Sequence, residues 1–163
     1  MALSRSTTRR LFALIWVVCV GLLVYALYLQ HAQGLDPCPW CVVQRLGFML
    51  VGAIALVAAL HGRGAAGYAS FGFLAAVAGA AAGAYHVWLQ SDPVRAAKCV
   101  GSTVELVLDK LAIGKLAPGL LQYDGPCTLK PWSFLGLSIP EWSLTWFVVL
   151  AIVFLAIGLT ARR

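Results

Sequence analysis

Residues 11–29 run for 19 positions without a charged side chain, close to the ~20 apolar residues a helix needs to cross ~30 Å of hydrocarbon. Three more apolar stretches follow, at 46–60, 65–89 and 142–161. Only 11% of the 163 residues are charged, against about a quarter in a soluble globular domain. The chain is therefore read as an all-α membrane protein, one domain over 1–163 built as a four-transmembrane-helix bundle. Its spans are expected at about 11–29, 42–60, 65–89 and 142–161. The second reaches full length only by starting near Val42, which puts Arg45 one turn inside, where a long side chain can still reach the interface. Arg5, Arg9 and Arg10 precede the first run as in a secretory leader. That run exceeds a leader's usual apolar core of roughly 7–15 residues and no A-x-A site follows, so it is expected to be a retained helix.

An even number of spans puts both termini on one side, with the short turn at 61–64. These segments carry Arg5, Arg9, Arg10, Arg63, Arg162 and Arg163 and no acid, which marks that side as cytoplasmic. The opposite loops, 30–41 and 90–141, together with the start of the second span, hold Arg45, Arg95, Lys98, Lys110, Lys115 and Lys130 against Asp36, Asp92, Glu105, Asp109, Asp124 and Glu141. Their charges cancel. The net charge of +6 is thus a topology signal, and its division among short segments argues against nucleic-acid binding. Trp40, Trp88, Trp132 and Trp142 fall near the outer boundaries, as interfacial anchors do. The Ala- and Gly-rich third span suits close helix packing.

In the first outer loop, Gly34, Pro37 and Pro39 break helix and favour turns. In the second, Thr103 to Leu116 places apolar residues at 104, 107, 108 and 111, the pattern of a short amphipathic helix lying on the membrane surface. Pro118, Gly119, Gly125, Pro126 and Pro131 then point to irregular chain, and a loop that moves would suit transfer of a group between sites.

Cys38, Cys41, Cys99 and Cys127 belong to these outer loops, while Cys19 falls inside the first span and reads as a small buried apolar residue. Thiols on an oxidising side tend to pair. Cys38-Pro39-Trp40-Cys41 opens a helix with proline in its first turn, where a missing N–H costs nothing. Cys41 then meets the positive end of the helix dipole, and Arg45 lies four residues on, along the same face. Both favour the thiolate, the reactive form. A structural disulfide across two intervening residues would restrict the unfolded chain little. A zinc site made of the four loop thiols would require closer second spacing than the 28 residues from Cys99 to Cys127. Redox chemistry is the favoured reading, with no metal expected.

At these residues the sequence resembles the disulfide bond formation protein B (DsbB) family, quinone-coupled thiol oxidases of the bacterial inner membrane. The resemblance rests on the span pattern, on Cys38, Cys41, Gln44 and Arg45 as a C-x-x-C-x-x-Q-R run at the start of the second helix, on His86 near the outer end of the third, and on a second cysteine pair flanking the amphipathic stretch. It implies a multi-pass protein that reoxidises a DsbA-like periplasmic disulfide donor and passes the electrons to ubiquinone or menaquinone. By the same resemblance Cys99 receives the partner's thiolate, Cys127 passes on the oxidising equivalents, Cys38 accepts them and Cys41 faces the quinone. Arg45 would bind the quinone head group, with Gln44 and His86 beside it. His86 reads equally well as an ordinary interfacial histidine. Two rivals remain: a relative of vitamin K epoxide reductase, whose Cys-x-x-Cys lies at the last span, and a non-enzymatic membrane scaffold with disulfide-held loops.

Overall fold

The structure is a computed structural model that describes residues 4–97, 99, 102–127 and 132–161. Lys98, Lys130, Pro131, Arg162 and Arg163 lie outside the described residues. Helices α1 (Arg5–Gln33), α2 (Pro39–His61), α3 (Ala65–Gln90) and α8 (Ile139–Ala161) are long and apolar enough to cross a membrane. The molecule is an all-α, four-helix membrane protein. Each helix outruns its apolar stretch, because the chain goes on satisfying its backbone by helical bonding beyond the hydrocarbon. Ser4 starts α1 by accepting the Thr7 N–H at 3.2 Å, and Gly34, in the left-handed region at φ 65°, ends it. Arg5 Nε donates to Gly62 O at 2.7 Å and Arg9 Nε to Ala59 O at 2.9 Å. The start of α1 is thereby tied to the α2–α3 turn at the end of the bundle away from the cysteines.

Lipid tails are as apolar as leucine, so these helices associate through close contact rather than through exclusion of water. Phe147 and Phe154 of α8 lie directly on Gly79 and Gly72 of α3, where a Cβ on either glycine would overlap the ring. Phe147 also stacks on Phe48 of α2, with ring centroids 4.0 Å apart. Cys19, Val51, Ala55, Ala76 and Leu150 complete the same buried core. The Cys19 thiol is 1% exposed there, in keeping with a small apolar residue. Gly79→Val should therefore destabilise the bundle by about 1–3 kcal/mol through overpacking. A detergent-denaturation midpoint equal to wild type would show that α8 is not held by this contact.

Among the described residues between α3 and α8 come four short helices, α4 (Pro93–Ala97), α5 (Thr103–Lys110), α6 (Ile113–Leu116) and α7 (Pro118–Leu121), and a hairpin of β1 (Ser133–Phe134) with β2 (Leu137–Ser138). The amphipathic stretch expected as one helix over 103–116 is broken after Lys110, with Ala112 in the left-handed region at φ 49°. The break turns α6 and α7 back over the start of α2, so that Leu108 and Leu121 bury against Val42. Leu106, Val107, Leu111 and Leu116 stay exposed. Helix α7 takes up the start of the stretch expected to be irregular, and the hairpin follows that stretch. Its turn residues Leu135 and Gly136 both have positive φ, 53° and 81°, as a tight two-residue hairpin loop requires, and Trp142 Nε1 donates to Phe134 O at 3.0 Å.

Candidate functional site

Cys38 caps α2. Its Sγ accepts the Cys41 N–H at 3.4 Å, and Pro39 occupies the first turn, as the motif predicts. The two sulfurs face each other at 3.1 Å as free thiols. Cys99 and Cys127 form a disulfide, with Cα atoms 6.1 Å apart. That disulfide and Cys38 make one buried cluster, with Cys41 and Trp40 packed on it. All four loop cysteines thus meet at one place.

The second outer loop sits on the first, with its disulfide in one buried cluster with Cys38. Gly125 N–H donates to Pro37 O at 3.1 Å, pinning the two outer loops backbone to backbone. A Cβ on Gly125 would run into the Asp36 carbonyl, so only glycine permits this approach.

His86, expected near the interface, is 0% exposed. The Gln44 amide Nε2 lies 3.0 Å from His86 Nδ1 and, as a donor, leaves the imidazole proton on Nε2. That nitrogen is 3.5 Å from Cys38 Sγ and donates toward the sulfur. Gln44, His86 and Cys38 therefore form one chain of polar contacts between α2 and α3.

Arg45 does not extend outward to the interface. It is 7% exposed, and its Nη1 donates to Gln30 Oε1 and to Leu120 O, both at 2.6 Å, while Nη2 reaches Ala26 O at 3.4 Å. One guanidinium thus joins α1, α2 and α7, which compensates its removal from water. Sequence reasoning missed these partners. Gln30, a polar residue closing the first apolar run, was the available signal. The Leu120 carbonyl carried none.

Cys38, Cys41, Gln44, Arg45 and His86 all line a cavity of about 530 Å³. Its other walls are largely apolar, from Leu22, Tyr25 and Leu29 of α1, Phe48 of α2 and Trp142 and Trp146 of α8. Among the described residues every buried side-chain nitrogen and oxygen has a hydrogen-bond partner. The cavity is formed, not collapsed.

A membrane-embedded four-helix bundle that brings a dithiol against a disulfide defines a class, the integral-membrane dithiol–disulfide proteins. The family model for Disulfide bond formation protein DsbB matches residues 8–157. Disulfide bond formation protein B of Aromatoleum aromaticum is 41% identical over 160 residues, covering 96% of this chain and 95% of the relative. That of Azoarcus sp. strain BH72 is 40% identical over 156 residues, covering 94% and 93%. That of Xanthomonas oryzae pv. oryzae is 39% identical over 163 residues, covering 98% and 95%. The chain belongs to the DsbB family of disulfide-generating oxidoreductases, which sets aside the vitamin K epoxide reductase and scaffold readings.

Proposed function

We propose that this protein is a thiol:quinone oxidoreductase of the bacterial inner membrane, which reoxidises a DsbA-like thioredoxin-fold donor in the periplasm and delivers the electrons to ubiquinone or menaquinone. One observation carries the reading: Cys41 and Arg45 share the wall of an apolar cavity while Cys38, three residues before Cys41, packs on the Cys99–Cys127 disulfide. At about 530 Å³ the cavity falls within the roughly 300–1,000 Å³ usual for small-molecule sites. Its apolar walls suit a quinone ring and tail, and Arg45 is a cation for a reduced ring oxygen. The bound quinone supplies a two-electron acceptor.

The protein's own steps are thiol–disulfide exchanges. A partner thiolate attacks Cys99, the Cys99–Cys127 bond breaks, and Cys127 leaves as thiolate. The partner's second thiolate then displaces Cys99 and closes the partner's disulfide. Cys127 next attacks Cys38 of an oxidised Cys38–Cys41 pair and releases Cys41. Attack of Cys99 on Cys127 restores the loop disulfide and expels Cys38. Two electrons now reside on the Cys38/Cys41 dithiol, and the pairing observed matches this stage. His86 Nε2–H stabilises negative charge on Cys38 as it leaves. Gln44 holds that proton on the correct nitrogen.

The test mixes purified protein, quinone and a reduced thioredoxin-fold substrate without oxygen. One quinone should be reduced per disulfide made, and substrate oxidation with no loss of quinone absorbance would refute the reading. The proposed topology, with both termini cytoplasmic, is supported by Arg5, Arg9, Arg10 and Arg63, which gather at the end opposite the cysteines as basic residues do on a cytoplasmic face. After reduction, a membrane-impermeant thiol reagent should label Cys38, Cys41, Cys99 or Cys127 in intact spheroplasts. Labelling seen only after lysis would reverse the orientation.

A further inference from the structure

We infer that the reduced Cys38/Cys41 pair and His86 form a three-ligand site for a zinc-class d10 cation, which occupies the dithiol and closes it to exchange. The three ligand atoms lie within 4.8 Å of one another, two from the N-cap and first turn of α2 and one from α3. Tetrahedral zinc, with Zn–S of about 2.3 Å and Zn–N of about 2.0–2.1 Å, sets sulfur and nitrogen ~3.5 Å apart and two sulfurs ~3.8 Å apart. Cys38 Sγ to His86 Nε2 is already 3.5 Å. Cys38 Sγ to Cys41 Sγ, at 3.1 Å, must widen by roughly 0.7 Å, and Cys41 Sγ, within 4.8 Å of the imidazole, must close on it by up to about 1.3 Å, both by side-chain rotation.

Gln44 makes the histidine fit. A metal-bound imidazole needs its far nitrogen protonated and donating to an acceptor. Gln44 stands 3.0 Å from His86 Nδ1, and its amide turned end for end presents Oε1 instead of the NH2. The imidazole proton moves from Nε2 to Nδ1, and the two thiols release their protons as the cation binds. A donor set of two sulfurs and one nitrogen selects zinc over magnesium or calcium, and the fourth position faces the cavity, where water completes the shell. Oxidation of Cys38 and Cys41 to a disulfide removes two of the three ligands. Binding is therefore confined to the reduced state. This would be an inhibitory site for an incoming ion rather than a resident structural centre, and it stands whether or not the cavity takes a quinone.

The test uses full-length Cys99→Ser/Cys127→Ser protein, reduced and free of oxygen, quinone and partner, titrated with Co2+ and back-titrated with Zn2+. Expected are one Co2+ per chain, sulfur-to-cobalt charge-transfer bands with tetrahedral visible bands, and displacement by Zn2+. Cys41→Ser, nearly isosteric, should lose at least a hundredfold in affinity. His86→Ala should lose at least tenfold, and Gln44→Leu about tenfold with its bands retained. Affinity unchanged by Cys41→Ser or His86→Ala, half an equivalent of metal per chain, or equal binding after oxidation would each overturn the assignment.

Discussion

A chain carrying Cys127→Ser should turn over no substrate and should become covalently attached to its partner through Cys99. In the proposed order of transfer Cys99 takes the incoming thiolate and Cys127 hands on to Cys38, the disulfide and Cys38 being packed in one buried cluster. Without Cys127, Cys99 has no intramolecular route to discharge a bound partner. Residues that act as one unit lose nearly everything when one is removed, so turnover should fall by at least about three orders of magnitude. The attachment can be read directly. A partner stripped of its resolving cysteine, its remaining thiol activated with thionitrobenzoate, should release one equivalent of coloured thiolate as Cys99 takes its place. Peptide mapping that finds the partner on Cys38 or Cys41, with Cys99 free, would sink the proposed order of transfer while leaving the family's chemistry untouched.

Arg45→Gln should raise the KM for quinone tenfold or more and change that for the partner protein by less than about twofold, a split that separates ligand binding from general damage. The structure adds a second effect. Because Nη1 also holds Gln30 and the Leu120 carbonyl, the variant should lose about 1–3 kcal/mol of stability, the scale of hydrogen bonds to a charged group. Arg45→Lys keeps the charge but not the planar fork. It should recover part of the quinone KM and little of the stability. Equal rises in both KM values for Arg45→Gln would make the residue a structural tie alone.

Local signals were legible in the sequence and distant ones were not. Four apolar runs forecast four helices because lipid leaves the backbone little choice but to bond internally. The Cys38-Pro39-Trp40-Cys41 run announced a helix start because proline and a capping side chain act within one turn. Arg45 bonding to Leu120, and Gln44 to His86, join residues 75 and 42 positions apart, which no local pattern encodes. The break at Ala112 was hidden for a related reason. The periodicity of 103–116 satisfies a helix, and only burial of Leu108 and Leu121 on Val42 decides against one straight rod.

The bare glycine face of α3 draws α8 down onto it through Phe147 and Phe154, while farther toward the cysteines α1 and α8 are separated by the cavity, whose wall includes Tyr25, 46% exposed on the flank of the bundle. A molecule dissolved in the acyl chains would then arrive sideways, within the plane of the membrane. For such an acceptor the quantity that sets occupancy is its mole fraction among lipids. Adding empty phospholipid at fixed amounts of protein and quinone should slow the enzyme by two-dimensional dilution, although the bulk concentration of every reactant stays the same.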